Sequence, residues 1–187
     1  MKRVARSDLV DYQTWTDRRE AELPNIFEQK RLRRVHAGEH LTFLFENAET
    51  IRYQVQEMMR TERIVRESDV QHELDTYNEL LGGEGELGCT LLIEISDPAQ
   101  RDVKLVAWRE LPEHLYVRLE DGELVRATFD ERQRAEERAG RLSSVQYLKF
   151  NTAGRVPVAV GVDLDELNVE GELSADQRAA LAQDLAS

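Results

Sequence analysis

Leu87, Cys89, Leu91, Ile93 and Ile95 alternate with Gly88, Thr90, Leu92 and Glu94. Apolar residues at every second position mark a strand with one face in a core, because successive side chains in a strand point to opposite faces. A strand of nine or ten residues cannot stand alone. It needs pairing partners on both edges and a cover over its apolar face. The chain must therefore build a sheet and pack something on it.

Other segments supply the partners. Leu41, Phe43 and Phe45 alternate over 41–46. Segments 114–119 and 123–129 flank Asp121-Gly122, a strong short-range hairpin signal. Segments 144–150 and 156–162 are two further strand candidates.

The cover is helical. Asn47 caps a helix over 48–65 whose apolar stripe is Ile51, Val55, Met58 and Met59. Ser68 and Gln71 have the spacing of a capping box for a helix over 69–80, with Val70, Leu74, Tyr77 and Leu81 on one side and Gly82-Gly83 as the stop. These two helices form an αα-hairpin. Asp97-Pro98 opens a helix to about residue 110, ended by Pro112. A polar helix is expected over 130–142. Ser174 and Gln177 make a capping box for a terminal helix over 175–185. In the head, Ser7 can cap a short helix over 8–15. Pro24 is read as a break, so the next helix starts there and runs to 34. Its end, Lys30-Arg31-Leu32-Arg33-Arg34, places cations at the negative helix terminus. An anion or partner site is the alternative for the same cluster.

The expected fold class is α+β: one antiparallel sheet of five or six strands, with the αα-hairpin and further helices packed on it. At 187 residues one domain is expected over 1–187. It divides into a helical basic head (1–35), an α+β core (36–162) and an acidic C-terminal helical segment (163–187).

Charge narrows the partners. The chain has 37 Asp and Glu against 25 Lys and Arg, net −12. Nucleic-acid binding needs a surplus of cations on some face and is excluded as an expectation. The charge is a gradient: +3 in the head, −9 in the core and −6 in the tail. Head and tail can attract each other within one chain or between copies, so a homo-oligomer or a protein partner is expected. No apolar run has the roughly 18 residues of a membrane span, and no apolar stretch follows the first charges as a signal peptide would require. A single cysteine excludes an internal disulfide and a cysteine cluster. A cytoplasmic location is the expectation.

Two constellations invite chemistry. His36-Ala37-Gly38-Glu39-His40 has the H-x-x-E-H spacing of zinc peptidases. That motif works on a helix, where both imidazoles share a face. Here Gly38 interrupts it and a strand follows, and in an extended chain the two His lie about 13 Å apart. A loop leading into a strand is the stronger reading. The second constellation is the polar content of the hairpin over 48–81. Glu57, Glu62, His72 and Glu73 are candidate metal ligands, which makes a divalent metal the one cofactor to consider. No cofactor motif is evident: the chain has no P-loop and no dinucleotide fingerprint, and no Glu-x-x-His of the di-iron bundles. Solvated faces and surface ion pairs explain most of these residues equally well. No catalytic residue is assigned, and Cys89 reads as a buried thiol.

The run Leu44-Phe45-Glu46-Asn47, Tyr53-Gln54-Val55-Gln56-Glu57-Met58, Arg60-Thr61-Glu62-Arg63-Ile64 and His72-Glu73-Leu74-Asp75-Thr76-Tyr77-Asn78 resembles the domain-of-unknown-function 3501 (DUF3501) family of uncharacterised bacterial proteins. The resemblance continues through Leu92-Ile93-Glu94-Ile95, Val125-Arg126-Ala127, Ser144-Val145-Gln146-Tyr147-Leu148 and Arg178-Ala179-Ala180-Leu181. It implies no established activity. It implies a link to rubrerythrin and iron–sulfur redox defence, and its densest stretch points to Glu46, Tyr53, Gln54, Glu57, Tyr77 and Asn78 as ligand-binding candidates. Two functions follow as expectations. One is a non-enzymatic accessory or binding protein. The alternative is a metal- or small-ligand-binding enzyme using the acidic hairpin 48–81.

Overall fold

The structure is a computed structural model that describes residues 2–130, 134, 135, 137, 138 and 140–187. Helix α1 spans Tyr12–Arg31, strand β1 Arg34–Ala37 and β2 Leu41–Phe45. The αα-hairpin follows as α2 (Ala48–Glu62) and α3 (Glu67–Asn78), then β3 (Glu86–Ile93), α4 (Pro98–Ala107) and α5 (Leu111–His114). The rest comprises β4 (Leu115–Arg118), β5 (Leu124–Arg126), β6 (Val145–Asn151), β7 (Ala159–Leu164), β8 (Leu167–Glu172) and α6 (Ala175–Leu185).

The class is α+β, but the single sheet of five or six strands is corrected. The described residues form two antiparallel four-stranded sheets, β1-β2-β3-β6 and β5-β4-β7-β8. Alternation along β3 specifies that one face is buried and leaves open what buries it. The cover is the second sheet: Phe43, Phe45, Leu87, Cys89 and Leu91 pack in one core with Leu115, Val117, Val160 and Val162. Leu105 and Trp108 near α4 and Leu181 of α6 close the ends of this core. The sheets approach each other along both edges. Thr128 and Lys149 exchange backbone N–H···O bonds of 2.8 and 2.9 Å beside β5 and β6. On the other side β8 lies so near β1 that a Cβ on Gly171 would sit 1.9 Å from the His36 carbonyl.

Two strands escaped the sequence reading. β1 ends in the HAGEH segment, at His36-Ala37, and Gly38, at φ +62°, turns it into β2. β8 falls in the tail read as helical. It pairs with β7 across Asp165-Glu166, from Leu164 opposite Leu167 to Ala159 opposite Glu172.

The helices form a second apolar cluster. Ile51, Val55 and Met59 of α2 meet Val70, Leu74 and Leu81, and the N-terminal arm adds Val4 and Leu9. The break at Pro24 is also corrected: α1 runs through it, capped by Asp11, whose side chain accepts from the Gln13 and Thr14 amides. Trp15 before the proline and Ile26 after it are both fully buried, and that burial outweighs the lost helical bond. The Ser68–Gln71 box is not formed either. α3 begins at Glu67, and Ser68 bonds Asp69 instead. The boxes at Asn47 and Ser174 are present. Part of the helix expected over 130–142 lies outside the described residues (131–133, 136 and 139), while Arg134, Ala135, Glu137 and Arg138 are helical.

Head and tail meet within the chain. Arg33 donates to both oxygens of Asp184 at 2.7 and 2.9 Å, with both side chains buried. Among the described residues, no helix is long and apolar enough to cross a membrane.

Candidate functional site

The strand register places one cross-sheet row on the outer face of the first sheet. Arg34 lies opposite Leu44, Leu44 opposite Thr90, and Thr90 opposite Tyr147. The inner face is spent on the core, so this row faces the helices. Glu46 follows β2 directly, held by its amide on the Gly88 carbonyl at 2.9 Å. The end of α1 brings Lys30, α2 brings Thr50 and Gln54, and α3 brings Tyr77.

Between sheet and helices runs a cleft of two lobes. The smaller, about 260 Å³, holds Lys30, Arg34, Glu46, Thr50, Gln54 and Thr90. The larger, about 440 Å³, is bounded by Thr76, Glu79, Thr128, Phe129, Asp130 and Lys149. Tyr77, Leu80 and Tyr147 border both.

Glu46 is 7% exposed and has no cation within ion-pairing distance among the described residues. Its two oxygens accept from the Thr50 hydroxyl at 2.5 Å and the Thr90 hydroxyl at 2.7 Å. Two neutral hydroxyls do not fill the acceptor capacity of a carboxylate, which has about four lone-pair positions. Lys30 is half-buried, its ammonium 4.5 Å over the ring of Tyr53, with no hydrogen-bond or ion-pair partner among the described residues. Desolvation lowers its pKa, and the nearby Arg34 adds to that. The charges of Glu46 and Glu57 oppose both without reversing them. Desolvation raises the Tyr147 phenol, with further contributions from Tyr77 and Glu46. The cleft thus holds a carboxylate, an amine and two phenols at close quarters, each with capacity for a further partner.

The candidates read from sequence divide. Glu46, Gln54 and Tyr77 line the cleft, and Tyr53 backs Lys30. Glu57 faces α1, where it accepts from the Trp15 indole and Arg19 at 2.8 Å each and pairs with Arg60 at 3.3 Å. Burial pushes its carboxyl up, but the bonds from Arg19, Trp15 and Arg60 win and hold it at about 2. Asn78 is structural: its amide donates to the Val4 carbonyl and accepts from the Val4 amide, both at 2.9 Å. Among the proposed metal ligands, Glu62 and His72 are exposed and Glu73 is half-buried. Neither they with Glu57 nor any other described His, Cys, Asp and Glu side chains gather as three around one point.

In the H-x-x-E-H segment the two imidazoles part. His36 meets the Thr42 hydroxyl at 2.8 Å across the strand pair, and Thr42 donates to Glu94 at 2.5 Å. His40 tilts on Trp108 and meets the Lys104 ammonium at 2.6 Å. Cys89 is buried. Desolvation, then the Glu46 charge, pushes its thiol well above the usual range.

The sequence reading missed Thr50, Thr90 and Tyr147 as site residues and treated Lys30 and Arg34 mainly as helix-end charges. The available signal was a polar residue, Thr90, in an apolar strand. Its meaning depended on knowing which face the helices cover.

No curated protein matches the chain. A crystal structure of a novel protein of unknown function from Burkholderia pseudomallei K96243 is similar at a TM-score of 0.88 and 29% identity, covering 98% of this chain and 100% of that one. The family model described as a protein of unknown function, DUF3501, matches residues 3–185, so the chain belongs to the DUF3501 family.

Proposed function

We propose that this is a binding protein for a small organic acid, held in the cleft between the first sheet and the helical hairpin. One observation carries the reading: Lys30, Arg34 and the buried Glu46 converge on one lobe while making no ion pair with each other or with any other described residue. Keeping a carboxylate from water with only two neutral donors costs free energy, and groups arranged this way gain when a complementary ligand enters. The ligand's anionic group suits Lys30 and Arg34, and a hydroxyl or amine on its neighbouring carbon suits Glu46. Tyr77 and Tyr147 offer apolar faces to the remainder. The role matches a binding or accessory protein better than redox chemistry through the thiol, because Cys89, although it borders the larger lobe, is buried with its thiol held well above the usual range.

The test is a titration of the full chain with glycolate, glycine and larger 2-hydroxy acids, followed by amide NMR and thermal unfolding. Binding shifts resonances at Gln54, Thr90 and Tyr147, and saturation near 100 times Kd stabilises the fold by about 2.7 kcal/mol. Shifts absent at those residues for every acid up to about 10 mM, a range that reaches millimolar affinities, would overturn the reading.

A further inference from the structure

We propose that Lys30 is a reactive amine that forms a reversible imine with the carbonyl group of a small aldehyde or keto acid in the smaller lobe. The inference rests on the binding reading above and adds a covalent step and a substrate class to it.

The chain has four lysines, Lys2, Lys30, Lys104 and Lys149, and Lys30 lines the lobe that also holds the buried carboxylate. A lysine becomes a nucleophile when its surroundings favour the neutral amine and a base stands ready for its proton. The surroundings of Lys30 meet the first requirement: it is half-buried, receives no hydrogen bond or ion pair among the described residues, and has Arg34 as a neighbouring like charge. Its ammonium lies 4.5 Å over the ring of Tyr53. Glu46 meets the second. It shares the lobe, is shielded from water, and has unused acceptor positions beside Thr50 and Thr90. Lys104, by contrast, spends its ammonium on His40 at 2.6 Å.

The step balances without an oxidant. Glu46 takes a proton from the Lys30 ammonium through one intervening water, since the two groups stand beyond direct hydrogen-bond reach. The free Nζ lone pair attacks the carbonyl carbon, a C–N bond forms, and the C=O π pair moves to oxygen. A proton passes from nitrogen to that oxygen, giving a carbinolamine. Glu46 then returns its proton to the hydroxyl, which leaves as water while the nitrogen lone pair closes the C=N bond. The product is a protonated imine on Lys30, and hydrolysis reverses the sequence. Arg34 is placed to hold a carboxylate on the carbon next to the carbonyl, which makes 2-oxo acids and glyoxylate-like aldehydes the fitting class.

Glyoxylate is the probe, with cyanoborohydride as the trap, on the full chain near neutral pH. Peptide mapping then scores all four lysines. The expected result is trapping at Lys30 about tenfold or more above Lys2, Lys104 and Lys149. Glu46→Gln should slow trapping at Lys30 by about a hundredfold, the usual scale of a lost acid–base group, and leave the other lysines unchanged. Should that variant fail to fold, Arg34→Gln decides: losing the like charge slows both aldehydes at Lys30, and trapping of glyoxylate should fall about tenfold further than trapping of acetaldehyde, which has no carboxylate for Arg34 to hold. Equal labelling of the four lysines, or preference for Lys149 in the larger lobe, overturns the proposal. Glycolate, which has no carbonyl, separates the two readings. Glycolate binding without Lys30 trapping removes the imine and keeps the binding site, whereas neither binding nor trapping removes both.

Discussion

Glu57 sits where α1 and α2 meet, 16% exposed, with one indole and two guanidinium groups directed at its oxygens. Its carboxyl is held at about 2 against an ordinary 4.5. The sign follows from linkage: a carboxyl depressed by folding adds stability that is complete above about pH 4.5 and fades as pH falls toward 2. The size is on the order of 2 to 3 kcal/mol. Urea unfolding at pH 6 and pH 3 should show that loss in the native chain and a flatter profile in Glu57→Gln. Arg33 makes a different case. Removing it leaves Asp184 charged, buried and without its cation, so Arg33→Met should cost about 3 to 5 kcal/mol. A midpoint shift of less than a third of that would mean water reaches Asp184 in the folded state. Neither partner assignment was legible in sequence. Glu57 read as a metal candidate, and its neighbours Trp15 and Arg19 come from 42 and 38 positions away.

At the scale of elements, the caps at Asn47, Asp97 and Ser174 were legible because a cap involves residues two or three apart. Pro24 was misread for the complementary reason. Local propensity puts a proline in a helix interior at about 3 kcal/mol below alanine, and only burial at Trp15 and Ile26 reverses the outcome. Pro24 is exposed, so Pro24→Ala should stabilise the protein by roughly 1 to 3 kcal/mol, read as a rise in the denaturation midpoint with the unfolding slope unchanged. The N-terminal arm is held by two side-chain amides. Asn78 exchanges two bonds with Val4, and Gln56 exchanges two with Val10, accepting at 2.8 Å and donating at 3.0 Å. Asn78→Ala strands two backbone groups and should cost about 1 to 3 kcal/mol, with faster hydrogen exchange in the arm before any in the sheets.

For the whole molecule, the decisive feature is the approach of the two sheets along both edges. Gly171 permits it on one side, where any side chain would run into the His36 backbone. Gly171→Ala should therefore force β8 from β1 and destabilise by on the order of 3 kcal/mol, with the loss of protection concentrated in β1 and β8. Unchanged exchange in those strands would show that the edge yields freely. The charge gradient also resolves at this scale. The basic head and acidic tail meet through Arg33 and Asp184 inside one chain, and Gln177 of α6 adds a bond to the Arg34 carbonyl at 2.6 Å.

The amino-acid sequence by itself determined the class: period-two alternation around β3, an αα-hairpin with an apolar stripe, and caps that place the starts of α2, α4 and α6. Those signals are local, and an alternating strand states only that one of its faces is buried. The tertiary structure alone decided that two sheets bury each other. It thereby decided which strand face turns to the helices, and so which side chains form the cleft. Arg34, Glu46, Thr90 and Tyr147 come from four segments spread over more than a hundred residues. Strand register and helix placement bring them together, and both are set by packing between distant parts of the chain.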